Sequence, residues 1–195
     1  MNSRHSGVTD WGLSHVAIGE RDTILDVGCG GGRTLSKLAA AARQGKVYGI
    51  DHSQASVAVA TKANRPSIEA GRVGIQEASV SELPFPGDMF DLVTAVETHF
   101  WWPNLAAGVR EIFRVLKPGG RLLIIAEVYK GASSITTKLV EKQLPLTGMK
   151  LLSVEEHREL LASAGYGDIE VGAEQAKGWI YCTGRKALSS DWQQM

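Results

Sequence analysis

The stretch Thr23-Ile24-Leu25-Asp26-Val27-Gly28-Cys29-Gly30-Gly31-Gly32-Arg33 reads as a strand breaking into a glycine turn. Thr23 to Val27 is a short apolar, β-branched run with one acid, Asp26, near its end. Glycines follow at once, and a helical pattern starts behind them at Leu35, Leu38, Ala39 and Ala42. A strand feeding a helix through clustered glycines brings bare backbone close to a ligand, with the helix N-terminus aimed at it. The spacing restricts the reading. A dinucleotide fingerprint has Gly at its first, third and sixth positions, but counting from Gly28 the sixth position is Arg33. Here the glycines fall at the first, third and fifth positions, preceded two residues earlier by an acid.

Outward from this turn, Lys46–Asp51 is a second strand ending in an acid about twenty residues on, where a doubly wound fold places a ribose-binding carboxylate. One carboxylate can accept hydrogen bonds from both hydroxyls of a ribose diol. Ser53 caps a helix over Gln54–Ala63, Arg65 and Pro66 end it, and Val73–Glu77 is a brief third strand. Phe90–Val96 is apolar at nearly every position, as a central parallel strand should be. Glu97-Thr98-His99-Phe100-Trp101-Trp102-Pro103 leaves its C-terminal end, the side of an open α/β sheet on which ligands bind. Glu97 and His99 are candidate proton acceptors there, and Phe100, Trp101 and Trp102 could wall an apolar substrate. Equally, the tryptophans could pack the following helix and His99 could bond backbone. That helix, about Leu105 to Leu116, would bury Leu105, Val109, Ile112, Phe113 and Leu116, and a turn at Leu116-Lys117-Pro118-Gly119-Gly120 would lead into a fifth strand, Arg121–Glu127.

Taken jointly, Asp26-x-Gly28-x-Gly30-x-Gly32, the acid Asp51, Leu83-Pro84-Phe85 and Lys117-Pro118-Gly119-Gly120 resemble the class I S-adenosylmethionine-dependent methyltransferases of the small-molecule, type 11/25 kind. The resemblance runs from about Trp11 to Lys186. It implies that Gly28, Cys29 and Gly30 pack against the methionine part of the cofactor, with Asp26 near its ammonium, often through water. An acid suits a ligand carrying an ammonium and a sulfonium and would repel a pyrophosphate. Asp51 would hold the ribose, and His52 would lie beside the adenine, where an apolar residue is commoner. Ser79 stands where an Asp usually meets the adenine amino group, with Val80 supplying the next amide; Glu77 could substitute for the missing acid. Glu97 would also face the cofactor. A segment before the glycine motif often lids the cofactor in this family, which would bring His5 and Trp11 to the methionine end or the substrate. The alternative is a helix over Val8–Ile18, capped by Thr9 or Asp10 and ended by Gly19, that merely covers a sheet edge.

The implied fold is α/β: a single Rossmann-like, doubly wound domain over 1–195, with seven strands in the order 3-2-1-4-5-7-6 and an antiparallel last strand. Residues 1–22 would be the covering segment, 23–127 the cofactor-binding half, and 128–188 a substrate-side segment with the last helix and an edge hairpin. Within the last part, 128–152 reads as a connection or a substrate-selecting segment. Ser153–Glu156 is a capping box opening a helix to Ala164, and Asp168–Gly172 and Trp179–Arg185 are the hairpin.

Composition bounds the chemistry. The 195 residues suffice for one α/β domain with a real core, and Lys plus Arg equals Asp plus Glu at 21 each. No net field draws nucleic acid, so none is expected as partner. Cys29 and Cys182 form neither a disulfide framework nor a metal cluster, and no metal is expected. No apolar run approaches a membrane span, and no signal-peptide pattern opens the chain, so a cytoplasmic monomer or homodimer is the expectation. The implied reaction is direct displacement, from S-adenosylmethionine to a small-molecule acceptor, releasing S-adenosylhomocysteine. Two other readings stay open: an S-adenosylmethionine-binding partner or regulator without transferase activity, and an NAD-dependent oxidoreductase, which Arg33 and the hairpin disfavour.

Overall fold

The computed structural model describes residues 6–188. Seven strands make one sheet: β1 (Thr23–Val27), β2 (Lys46–Asp51), β3 (Val73–Glu77), β4 (Phe90–Val96), β5 (Leu116–Ala126), β6 (Gly167–Glu174) and β7 (Trp179–Arg185), in the order β3-β2-β1-β4-β5-β7-β6. The first five run parallel, and β7 is antiparallel to both β5 and β6. The helices are α1 (Ser6–Leu13), α2 (Arg33–Ala41), α3 (Gln54–Ala63), α4 (Arg65–Glu69), α5 (Leu105–Val115), α6 (Ile135–Thr147) and α7 (Val154–Ser163).

The period-2 alternation of strands sorts the core into two layers. Leu25 and Val27 of β1 and Leu122 and Ile124 of β5 face α5, packing with Val109, Ile112 and Leu161. Their neighbours Ile24, Leu123 and Ile125 face the other way, onto Val8 of α1 and Leu35 and Leu38 of α2. Strands covered on both faces must be apolar throughout, which is why β1 and β4 are buried along nearly their whole length. Asp91 is one polar exception with a task. Its carboxylate accepts from the Thr23 N–H at 2.8 Å and from Lys117 Nζ at 2.9 and 2.7 Å, pinning the start of β1 to β4 and β5.

The structure departs from the sequence expectations in four places. α1 starts at Ser6 and stops at Leu13, so Thr9 and Asp10 lie inside it; the Ser14 hydroxyl donates to the Trp11 carbonyl at 2.6 Å, and the chain bends away. Pro66 does not close a helix but sits in the first turn of α4, where its missing N–H costs nothing. The Lys117–Gly120 turn lies within β5 as a bulge: pairing with β4 passes from Phe90↔Leu116 to Leu92↔Arg121. The segment after β5 holds α6, capped by Ser134 Oγ accepting from the Thr137 N–H at 3.1 Å. The capping box at Ser153 and Glu156 forms as expected, with bonds of 3.1 and 2.7 Å.

Candidate active site

Strand order reverses between β1 and β4, and a cleft of about 490 Å³ opens there at the C-terminal ends of the strands. Its walls are Val27, Gly28 and Gly30 after β1; Ile50, Asp51, His52, Ser53 and Ser56 around the end of β2; Ala78, Ser79 and Val80 after β3; and Glu97, Thr98, Trp101, Trp102 and Pro103 after β4.

The glycine loop is shaped by two different demands. Gly28 and Cys29 both donate to the Ile50 carbonyl, at 2.8 and 2.9 Å, which folds the turn back over β2. At Gly28, with φ of +73°, a Cβ would overlap the Thr98 side chain; at Gly30, with φ of +51°, a Cβ would meet no protein atom within 4 Å. Gly28 is therefore needed by the protein's own packing, whereas the space beside Gly30 is left open at the cleft wall.

Asp51 ties this loop to β2. Its Oδ2 accepts from the Gly30 N–H and its Oδ1 from the Ser53 N–H, each at 2.9 Å, and it is only 7% exposed. Each carboxylate oxygen keeps a lone pair for a ligand hydroxyl in the cleft. His52 stands beside it, largely in solvent, with Nδ1 3.6 Å from Asp51 Oδ1. Ser79 is exposed at the rim, its Oγ accepting from the Ser81 N–H at 3.2 Å, and Val80 is buried behind it. Glu77 is exposed and does not line the cleft.

Asp26 and Cys29 lie beneath the loop and do not line the cleft. Burial pushes the Asp26 carboxyl up to about 7, against the opposing 2.7 Å bond from Thr94 Oγ1, and Asp51 raises it further. The Cys29 thiol is pushed well above the usual thiol range, by burial first and then by Asp26 and Asp51. It is no nucleophile.

On the opposite wall, Glu97 takes φ of +58°, a costly conformation for a residue with a side chain. Two bonds hold it there: its N–H donates to the Ile125 carbonyl at 2.9 Å, and its Oε1 accepts from the Glu127 N–H. Burial, then the neighbouring Glu127, lifts its carboxyl to about 8, against that N–H bond. Trp101 is 53% exposed at the cleft, while Trp102 is buried against Gly108 and reaches the same wall.

The structure does not bring the other sequence-selected residues to the cleft. His99 is fully buried under the loop, with Nε2 3.2 Å from His157 Nε2. The His157 Nδ1 lies 2.7 Å from the Ser153 carbonyl, so it carries the proton; His157 Nε2 then accepts from His99 Nε2–H, and His99 Nδ1 is left without a partner. Burial, then His157, holds His99 well below the usual imidazole range. Phe100 is buried with Val128, Tyr129 and Ile180. Trp11 packs on Trp179 and Tyr181, ring centroids 5.8 and 5.4 Å apart, so α1 covers the β5–β7 region and not the cleft. His5 lies outside the described residues. Sequence reasoning missed Thr98 and Pro103 as lining residues and gave Ser53 only its cap role. Thr98 carried one usable signal, its place beside Glu97 on the loop that must cross the glycine turn.

The residues present fit an adenosyl ligand with a cationic amino acid end. A diol-competent carboxylate faces the cleft, the glycine wall is open, and a second carboxyl stands opposite. Residues 25–124 match the family model described as "Methyltransferase domain". Among curated relatives, the uncharacterized methyltransferase YdaC of Bacillus subtilis is 27% identical over 145 residues, covering 74% of this chain and 78% of that protein. The O-methyltransferase cnsE of Penicillium expansum is 31% identical over 148 residues, covering 76% of this chain. The chain spans about half, 53%, of cnsE's length. Among solved structures, a chain of the complex between the Haloferax volcanii Trm112 methyltransferase activator and a methyltransferase superposes with a TM-score of 0.81 at 21% identity, covering 96% of this chain and 92% of that one. The chain therefore belongs to the methyltransferase-domain family and is a class I S-adenosylmethionine-dependent methyltransferase.

Proposed function

We propose that this enzyme methylates a small, largely apolar molecule, held between the glycine loop and the Trp101–Pro103 wall. The observation that carries the reading is the Asp51 carboxylate, fixed by the Gly30 and Ser53 amides at one end of a cleft whose other end is walled by Glu97, Trp101 and Trp102. When bound, S-adenosylmethionine supplies a methyl group already activated by the positive charge on sulfur. Asp51 would hold the ribose, Ser79 and Val80 the adenine edge with His52 beside it, and Gly28 and Gly30 the methionine portion. Asp26 acts from beneath the loop by fixing Thr94. The cleft volume suits a cofactor and a compact acceptor more than a macromolecular one. The likeness to an O-methyltransferase supports the same class.

Alignment of the two reactants accounts for most of what such a site must supply, since well-oriented reactions reach effective molarities of ~10⁵–10⁸ M. Where the acceptor must lose a proton, Glu97 is the carboxyl on the acceptor wall of the cleft, and it can take that proton only once ionised, above about pH 8; His99, enclosed by the loop and His157, serves as scaffold. The test is incubation with methyl-labelled donor and a pool of small metabolites, followed by mass spectrometry. Label in a low-mass product supports the reading. Label confined to protein or nucleic acid added to the same reaction would refute it.

A further inference from the structure

α6 carries aliphatic residues on both faces: Val140 packs against the core, and three others point away from it. Its inward side is led by Thr137, fully buried, while Ile135, Leu139 and Leu146 are 78%, 55% and 88% exposed. At about 100° per residue these three fall within an arc of about 40°, and Lys142 and Lys138 line one edge of it. Neither lysine side chain has a hydrogen bond or ion pair among the described residues. The charge is local: Lys130, Lys138, Lys142 and Lys150 stand against the single acid Glu141 between 130 and 150, in a chain whose total charges balance. Lys130 is engaged with Glu156 at 2.9 Å.

We propose that the outer face of α6 docks on the surface of an anionic lipid bilayer. An apolar stripe with lysines along its edge matches both layers of that surface, acyl chain boundary and anionic headgroup. A second copy of the chain fits less well. A 13-residue helix is about 20 Å long and about 10 Å wide, so its outer face covers on the order of 200 Å². Stable protein interfaces bury about 800 Å² per partner. Docking here would also bear on the cleft, because the Lys150 N–H donates to the Phe100 carbonyl at 3.1 Å and the next residue, Trp101, lines the cleft mouth.

The test is co-sedimentation of the full chain with vesicles of equal parts phosphatidylserine and phosphatidylcholine, beside vesicles of phosphatidylcholine alone. The mixed vesicles should carry the protein down and release it at high salt, and the neutral ones should bind it at least about fivefold more weakly. Leu139→Gln with Leu146→Gln, and separately Lys138→Glu with Lys142→Glu, should each weaken binding by about tenfold or more. Circular dichroism and thermal midpoints should stay unchanged, since these side chains face solvent. No binding to the mixed vesicles, or equal binding by wild type and both variants, overturns the proposal. A dimer abolished by Leu146→Gln would overturn it too, assigning the face to a second copy. Vesicle binding does not depend on methyl transfer, so either result leaves the proposed reaction standing.

Discussion

The two walls of the cleft are built by different means. The wall from β1 and β2 is closed by backbone: Gly28, Cys29 and Gly30 N–H groups are all spent on Ile50 and Asp51, within a span of about two dozen residues. The wall after β4 is closed by side chains and distant partners, with Glu97 held by Ile125 and Glu127, and the loop propped on His157 and Lys150. The first kind of wall leaves a residue spacing in the sequence, because only glycine tolerates its geometry. The second leaves almost none. The donor side is thus the wall that sequence spacing marks, and the acceptor side the wall it does not.

Substitutions can break or sharpen this contrast. The largest effect should come from Gly30→Val, which places a side chain in the open space of the cleft; affinity for S-adenosylhomocysteine should fall by about a hundredfold or more, equivalent to about 3 kcal/mol, while the fold survives. Full affinity would remove the open-wall interpretation. Gly28→Val should act on the protein itself, since its Cβ overlaps Thr98. Both valines are strained by a positive φ, so the overlap with Thr98 should make Gly28→Val about 1–3 kcal/mol less stable than Gly30→Val in thermal melting, and a Gly28→Val protein as stable as Gly30→Val would erase the distinction between the two glycines.

On the acceptor side, His99→Ala should cost about 1–3 kcal/mol of stability by opening a hole and orphaning His157, yet leave cofactor affinity unchanged and methyl transfer within a few-fold. A large loss of rate at normal stability would restore His99 as a base. The smallest effect is a matter of sign. Glu97 has its folded pKa raised, from 4.5 to about 8, so in the folded protein it binds a proton that the unfolded chain has released. Its contribution to stability is full below about 4.5 and lost as pH rises through about 8. The melting midpoint should therefore decline over that window less steeply in Glu97→Gln than in wild type; identical slopes would mean Glu97 does not titrate there. Asp26, raised to about 7, leaves a residual decline in both proteins.

Much of the fold was legible because local rules and tertiary packing agree. The spans Thr23–Val27, Lys46–Asp51, Val73–Glu77, Phe90–Val96 and Trp179–Arg185 are strands as read, each an apolar run bounded by turn residues. α6 was not legible. Three of its aliphatic residues, Ile135, Leu139 and Leu146, point outward and Pro145 interrupts its last turn, so neither periodicity nor composition marks a helix. In the site, Asp51 could be found because its distance from the glycine turn is set by one helix and one strand. His99 and Phe100 could not be told from cleft residues, since only the three-residue 3-10 turn His99–Trp101 decides which side chains drop inward. Trp11 misled for a similar reason: proximity to the glycine motif in sequence says nothing about which strands of the sheet α1 covers.

Asp51 as the ribose anchor is tested most directly by calorimetric titration of S-adenosylhomocysteine into wild type and Asp51→Ala, with NADH as a control ligand. The prediction is selective binding of S-adenosylhomocysteine by the wild type. Asp51→Ala should bind it at least about tenfold more weakly, the cost of about 1.5–3 kcal/mol for hydrogen bonds to a charged group, with the fold retained. An equal dissociation constant in the two proteins, or binding of NADH alone, would contradict it.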